Sequence, residues 1–297
     1  MLDAVGIGTN SVDEVLQLPV AAGAVLPGGK VRVSDRQFLC GGQTATVMAA
    51  CAALGLRSGY LGAFGSDDHA RLVRNALKSA GVDVRYSIEC DGPNRGAVIL
   101  VDPQGNRTVY WHRSDRLKVP LRELRMSALQ AHVVHIDDDD PELALHAATM
   151  ARSTGIPVTS DLEHVSDRVE QLIASVTFPI FEQRLPAQIT GEHDPERALR
   201  KLRRLNDGLL VMTLGEKGAV ALEGDIFHVA PAFHVKVVDA TGAGDVFRAG
   251  FMYGLLQKSN VPDRLRFANA AAASSCTRLG ALPSVPSLAE VQALLAS

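Results

Sequence analysis

Short apolar runs alternate with longer stretches at helical spacing along most of this chain. The run at Val5-Gly6-Ile7-Gly8 is too short for a helix and suits a buried strand. Residues 31–39 alternate in part and read as strand, with Gly23, Pro27, Gly28 and Gly29 supplying turn chemistry before them. Over 42–54 small and apolar residues recur at helical spacing, and Gly55 closes the segment. A buried strand follows over 57–64, then Ser66-Asp67-Asp68 caps a helix running to about 80, ended by Gly81. Segments 82–88, 96–101 and 108–111 read as strands with no helix between them, and Asp102-Pro103-Gln104-Gly105-Asn106 marks a hairpin loop. Beyond 130 the rhythm becomes strand, helix, strand. Strands are predicted over 133–136, 156–159 and 209–213, and helices over 141–154, 166–175 and 195–205. Asp140 and Pro141 form a helix entry. A hairpin over 219–222 and 227–230 precedes helices over 245–256, 264–277 and 288–295.

Strands alternating with helices imply parallel βαβ units covered on both faces, an α/β fold. The segments 14–38 and 95–112 carry strands without helices, so they predict a small separate sheet inserted in a single domain spanning 1–297. Composition narrows the class. Hydrophobic residues make up 46% of the 297 positions, enough to bury a large core, which excludes disorder as the main state. A net charge of −3 gives no basic field for nucleic acid or an anionic membrane. No apolar run reaches the ~18–20 residues of a bilayer span, and the start has no secretory pattern. The scattered Cys40, Cys51, Cys90 and Cys276 read as reduced thiols of a cytoplasmic protein.

The glycines carry the chemistry. An apolar stretch ends at Asp239, and Thr241-Gly242-Ala243-Gly244 offers almost no side chain before a helix begins near Asp245. Such a turn presents free backbone N–H groups at a positive helix end, an anion cradle suited to phosphate. Asp245 reads either as the N-cap of that helix or as a general base beside the bound phosphate. A carboxylate there is electrostatically costly unless it accepts a proton from an attacking hydroxyl.

Asp239-Ala240-Thr241-Gly242-Ala243-Gly244-Asp245 resembles the signature of the ribokinase-like (PfkB) carbohydrate kinases. Four further blocks resemble that family in its own order and span nearly the whole chain. They are Gly41-Gly42-Gln43-Thr44-Ala45-Thr46, Leu61 through Asp68, Thr213-Leu214-Gly215-Glu216-Lys217-Gly218-Ala219, and Thr277 through Ser284. The resemblance implies a three-layer α/β/α fold with a mainly parallel central sheet and a β lid over a sugar site. It implies transfer of the ATP γ-phosphoryl group to a sugar-type hydroxyl, with Asp245 as base and Gly242, Ala243 and Gly244 stabilising the developing charge.

The same resemblance assigns Asp13, Gly41, Gly42, Thr46, Asn106 and Asp137 to the substrate, and Thr213, Gly215, Gly218 and Asn269 to the nucleotide. It places a monovalent cation, K⁺, near Asp239, Thr241, Ser275, Gly280 and Ser284. Thr46 stands where the family usually has Asn, which points away from ribose. The family's metal-side Asn-x-x-Glu falls on Glu182 and Leu185, so the Mg²⁺ shell departs from the pattern and keeps only Glu182 as a carboxylate. The sulfofructose-kinase-like branch shares the Phe233–Asp239 pattern and Thr277-Arg278. Its sulfonate-binding Arg has no counterpart near Asp137-Asp138-Asp139-Asp140, an acidic run expected to be a solvated loop and to repel an anionic substituent. The expected partner is a small neutral sugar, and the expected assembly is a homodimer formed through the lid. A nucleoside kinase of the same fold and a non-catalytic sugar-binding protein are the alternatives. Gly6-Ile7-Gly8-Thr9-Asn10-Ser11 lacks the third glycine and following helix of a dinucleotide site, and Gly29-Lys30 lacks the Ser or Thr of a P-loop.

Overall fold

The computed structural model describes every residue except 22, 23, 25–27 and 105. Gly23, Pro27 and Gly105 from the predicted turns therefore lie outside the described residues. The first half of the chain forms β1 (Leu2–Ile7), β2 (Ser11–Gln17), β3 (Asp35–Gly41), α1 (Gln43–Ala53), β4 (Ser58–Leu61), β5 (Ala63–Phe64), α2 (Asp68–Ser79), β6 (Ile88–Glu89), β7 (Gly96–Val101), β8 (Arg107–His112), β9 (Ala131–Asp137) and α3 (Pro141–Ser153). The second half forms β10 (Val158–Asp161), α4 (Val169–Ser175), β11 (Ile180–Glu182), α5 (Arg184–Thr190), α6 (Pro195–Leu202), β12 (Leu210–Thr213), β13 (Ala219–Glu223), β14 (Ile226–Ala230), α7 (Ala243–Leu256), α8 (Val261–Ser275) and α9 (Leu288–Ala296).

The central sheet runs β4-β1-β9-β10 in parallel and continues through β11-β12-β13-β14, where β13 and β14 turn antiparallel. Backbone bonds from Leu162 to Ile180 and from Glu182 to Leu162 join the two halves. Period-two alternation buries both faces. Ala4 and Val133 pack with α1, α2, α7 and α8, whereas Val5, Ile7, Val134 and Ile136 pack with α3, α4 and α6. That two-sided burial makes three layers. Asp67 and Asp140 cap α2 and α3 by accepting from Ala70 and Leu143, as their positions predict.

A second sheet, β3-β2-β7-β8, stands off the first. Its strands come from the two segments that lacked helices, with β7 and β8 antiparallel in register Gly96 opposite His112. The predicted strand over 82–88 is mostly turn. Asp83 bridges Gly59, then its carboxylate accepts from the Arg85 N–H and bends the chain, leaving only Ile88–Glu89 to pair with β5. The short β11 and α5 were not legible in the apolar pattern, because each is a single brief burial between polar neighbours. No helix among the described residues is long and apolar enough to cross a membrane.

Candidate active site

Four neighbouring strands end on the residues that matter. Asp137 closes β9, Asp161 closes β10, Glu182 closes β11 and Thr213 closes β12. The register aligns Asp161 with Asp137 and Glu182 with Thr213, so polar side chains emerge along one edge at the carboxyl ends of parallel strands. Two clefts open along that edge.

The larger encloses about 1000 Å³ and gathers the predicted catalytic and nucleotide residues. Gly242, Ala243, Gly244 and Asp245 line it together with Thr213, Gly215, Gly218 and Asn269. Gly242 is the N-cap of α7 with φ 79°, and a Cβ there would meet the Ala281 backbone at 2.9 Å. No side chain caps the N-terminus of α7; the Ala243 N–H donates to the Ala240 carbonyl at 3.2 Å, and the Gly244 backbone lines the cleft beyond it. The helix begins two residues earlier than predicted, so Asp245 sits within its first turn and caps nothing. That removes the cap reading of Asp245. Asn269 gives both amide hydrogens to the carbonyls of Ala230 and Pro231, so toward the cleft it has its carbonyl oxygen left.

Burial pushes Asp245 well above the usual carboxylate range, Arg248 pulls it back, and Glu163 and Asp137 push it further up. Arg248 is 1% exposed and forms an ion pair with Asp161, which is fully buried. A Cβ on Gly244 would fall 2.8 Å from an Arg248 terminal nitrogen, so this guanidinium lies directly under the anion cradle. His135 behind it is lowered to about 3, by burial and then by Arg248, and stays neutral. Neither Arg248 nor Asp161 was singled out from sequence, nor was Glu163, which lines the same cleft. Gln43, the first residue of α1, also lines it with a buried side-chain nitrogen that has no hydrogen-bond partner.

Asp239 ties the cradle in place. Its Oδ1 accepts from the Thr241 N–H and hydroxyl, and its Oδ2 accepts from the Gly280 N–H. The Ser275 and Ser284 hydroxyls donate to the carbonyls of Ala272 and Ala281. Of the residues expected around a monovalent cation, Asp239 thus pins its own turn to Gly280, while the two serine bonds stay within their own turns. Among the described residues no group of three His, Cys, Asp or Glu side chains could hold a metal. Leu185, at the position of the missing metal-side Glu, is fully buried in the core. Glu182 lines the cleft and accepts from Arg184.

The smaller cleft, about 410 Å³, is lined by Gly8, Thr9, Asn10, Arg95, Arg113, Lys118, Asp137 and Asp139 among others. Asp137 is 2% exposed; its Oδ2 accepts from the Thr9 N–H and hydroxyl and from the Thr44 hydroxyl. Burial raises it to about 6 against those bonds. Thr44 follows Gln43, so the first turn of α1 gives Gln43 to the larger cleft and a hydroxyl donor to Asp137 of the smaller. Asp13 is half-buried on β2, raised by burial and pulled down by the charge of Arg95. Gly42 has φ 97°, and a Cβ there would lie 2.4 Å from the Asn10 Cα, so its necessity comes from the chain's own backbone. Gly41 has ordinary room for a side chain.

Three expectations need correction here. Thr46 is fully buried below the cradle with an unpaired hydroxyl, and does not line either cleft. Asn106 is exposed and folds back on Asp102 through its backbone and side-chain nitrogens, closing the hairpin and not reaching the site. The acidic run is not a solvated, repelling loop. Asp138 accepts from the Glu163 and His164 backbones, Asp139 pairs with Arg95 and Arg113, and Asp140 caps α3. Successive residues leave the strand end in opposite directions, so each finds separate donors.

Residues 11–288 match the profile of the pfkB family carbohydrate kinases. The chain belongs to that family. A pfkB-family enzyme is a phosphotransferase acting on sugar-type hydroxyls, and this chain is a sugar or nucleoside kinase of that group. It is 30% identical over 272 residues to an ATP-dependent ribose-1-phosphate kinase of Halopiger xanaduensis, covering 90% of each chain. It is 24% identical over 294 residues to the ribokinase of Haemophilus influenzae, covering 96% of this chain and 95% of that one. Among solved structures, a putative ribokinase from Agrobacterium tumefaciens superposes with TM-score 0.89 at 23% identity, covering 99% and 98% of the two chains. Ribokinase of Arabidopsis thaliana, solved with ribose and ATP, superposes with TM-score 0.85 at 23% identity over 99% and 98%. These neighbours place the pfkB chain in the three-layer α/β/α ribokinase-like fold.

Proposed function

We propose that this chain is an ATP-dependent sugar kinase in which Asp245 takes the proton of the attacking hydroxyl. The observation that carries this reading is Asp245 itself: a carboxylate on the cleft wall, one residue past an uncapped N–H cradle, with no capping role. The Gly242-Ala243-Gly244 turn faces the transferring phosphoryl group, and those of its N–H groups not spent within the turn, as that of Ala243 is on the Ala240 carbonyl, stabilise its charge, each well-aimed donor being worth roughly 3–4 kcal/mol. Thr213, Gly215, Gly218 and Asn269 hold the nucleotide across the same cleft. Asp13 and Asp137 orient the sugar, and the β2-β3-β7-β8 sheet closes over it.

Mg²⁺ fits a cleft with two carboxylates, since this ion is held by one or two protein carboxylates plus substrate phosphates. Glu163 and Glu182 both line the cleft and would hold it. When bound, the ion neutralises charge on the phosphates.

The test is ADP release over a panel of neutral sugars, sugar phosphates and nucleosides. Turnover with a sugar is expected. Turnover confined to nucleosides selects the nucleoside-kinase alternative, and nucleotide binding without any turnover selects the non-catalytic one.

We further propose a homodimer through the second sheet. Its edge strand β8 exposes Val109, Tyr110 and Trp111, the last to 70%, on consecutive positions. Trp111→Glu should shift the sedimentation coefficient from dimer to monomer at micromolar concentration; a wild-type chain that already sediments as a monomer would overturn the proposal.

A further inference from the structure

Asp139 fastens the second sheet to the first. The β7-β8 hairpin joins the rest of the chain at two roots, Arg95 just before β7 and Arg113 just after β8. Both guanidinium groups pair with the Asp139 carboxylate, and Arg113 also donates to the Asp139 carbonyl at 3.1 Å. Asp139 itself stands two residues past the end of β9, in the central sheet. All three side chains are about a quarter exposed or less, so solvent screens these charge-assisted bonds only in part. The incoming root has a further anchor in fully buried Asn94. Its N–H donates to Asp67, its side-chain amide donates to Asn10, and its carbonyl oxygen accepts from the Gly65 N–H. At the outgoing root the Arg113 side chain donates to Asp139.

Asp139 also touches the sugar side. Its N–H donates to Asp137 Oδ1 at 3.4 Å, while Asp137 Oδ2 takes the Thr9 and Thr44 donors. Arg95, Arg113, Asp137 and Asp139 all line the smaller cleft. A polyhydroxyl ligand held between two sheets needs both at one spacing, since a shift of about 1 Å already spoils such contacts. Ordinary surface ion pairs find separate carboxylates and add little. Here both roots of one hairpin converge on a single carboxylate, and that residue's own N–H holds Asp137. We propose that Asp139 is a positioning residue of the sugar site, clamping both roots of the β7-β8 hairpin to the strand end that carries Asp137 and so setting the spacing between lid and body. The inference rests on the reading of the smaller cleft as the sugar site and names what holds that site in shape. The clamp touches no reacting atom, so it acts on sugar binding and leaves phosphoryl transfer in the filled site alone.

Asp139→Asn keeps the size of the side chain and removes the charge that both arginines share. The KM for the sugar should rise roughly 10- to 100-fold, with kcat held to within about three-fold. ADP affinity by calorimetry should stay at the wild-type value, which a merely structural role would not spare. Salt should act on the same bonds: wild-type KM should climb with ionic strength, and the Asp139→Asn KM should not. Arg113→Gln should raise KM in the same sense, and adding Asp139→Asn to it should change little more, because both remove one contact. Arg113→Gln also keeps the test open if Asp139→Asn does not fold. Hydrogen exchange needs no ligand. The β8 amides should exchange several-fold faster in Asp139→Asn, while those of β9 and β10 keep their rates; general loss of stability would speed all of them. Wild-type KM in a folded Asp139→Asn chain, equal losses of sugar and ADP affinity, or unchanged β8 exchange would overturn the inference. Ribose or fructose binding that the variant weakens, with no ADP release by the wild type, would sustain the clamp and refute the kinase reading instead.

Discussion

Asp245→Asn should lower kcat by about 10²- to 10⁴-fold, the usual worth of a positioned general base, with nucleotide affinity nearly unchanged. The amide has the size of the carboxylate but cannot take a proton from a hydroxyl. The cradle N–H groups, Thr213 and Asn269 are untouched, so ADP titration should give a dissociation constant within a few-fold of wild type. Folding should not suffer, because Asp245 caps no helix and its charge is held against burial, Glu163 and Asp137. Thermal melting should show equal or higher stability, separating loss of the base from loss of the fold. Wild-type kcat in a folded Asp245→Asn chain would place the base elsewhere.

The pH profile sharpens the same result. The base works as the carboxylate, and Asp245 keeps its proton to higher pH than an ordinary aspartate. Turnover should rise with pH through a value above the usual ~3.9 of aspartate and flatten beyond it. The stability linkage has the opposite sign: a raised folded pKa favours the protonated form, so that contribution is present at low pH and lost as pH rises through the raised value. Activity and stability should therefore run against each other across this limb. The limb should vanish from the residual activity of Asp245→Asn.

What the chain reveals without coordinates is what lies close in sequence. Gly242, Ala243, Gly244 and Asp245 are consecutive, so the cradle and its carboxylate were legible as one unit, and the strand–helix rhythm announced the layers. The second sheet was legible because strands appeared without helices. The rest of the site is a product of register. Asp137, Asp161, Glu182 and Thr213 become neighbours because parallel strands end level with one another. Arg95 and Arg113 meet Asp139 from the second sheet, across 44 and 26 positions. Read in line, four aspartates look like a repelling run; read in space, two are buried, one holds two arginines and one caps a helix. The same blindness hid Glu163, whose segment carries no local pattern, and Arg248, which in a helix of small and apolar residues reads as a surface charge.

Arg248 is the second place where a single substitution has a large expected effect. Its charge is buried to 1% exposure against fully buried Asp161 and also pulls Asp245 down, so one buried cation serves two carboxylates. Arg248→Met keeps the length and apolar stem of the side chain but leaves Asp161 without its counter-charge. Breaking a buried pair from one side costs about 3–5 kcal/mol. In a chain of this size that corresponds to a fall of roughly 5–8 °C in melting temperature. Asp161 escapes part of the cost by taking up a proton, so the loss should shrink as pH is lowered. Adding Asp161→Leu should then restore much of the stability, since replacing both members of a buried pair by apolar groups is often neutral. Activity should not return with it. Without Arg248 the field that pulls Asp245 down is gone, and the cradle loses the cation beneath Gly244. The folded double variant should show its acid limb displaced to higher pH and a lower kcat at neutral pH. A double variant as active as wild type, with the same limb, would reduce the Arg248–Asp161 pair to a packing element and leave Asp245 tuned by burial alone.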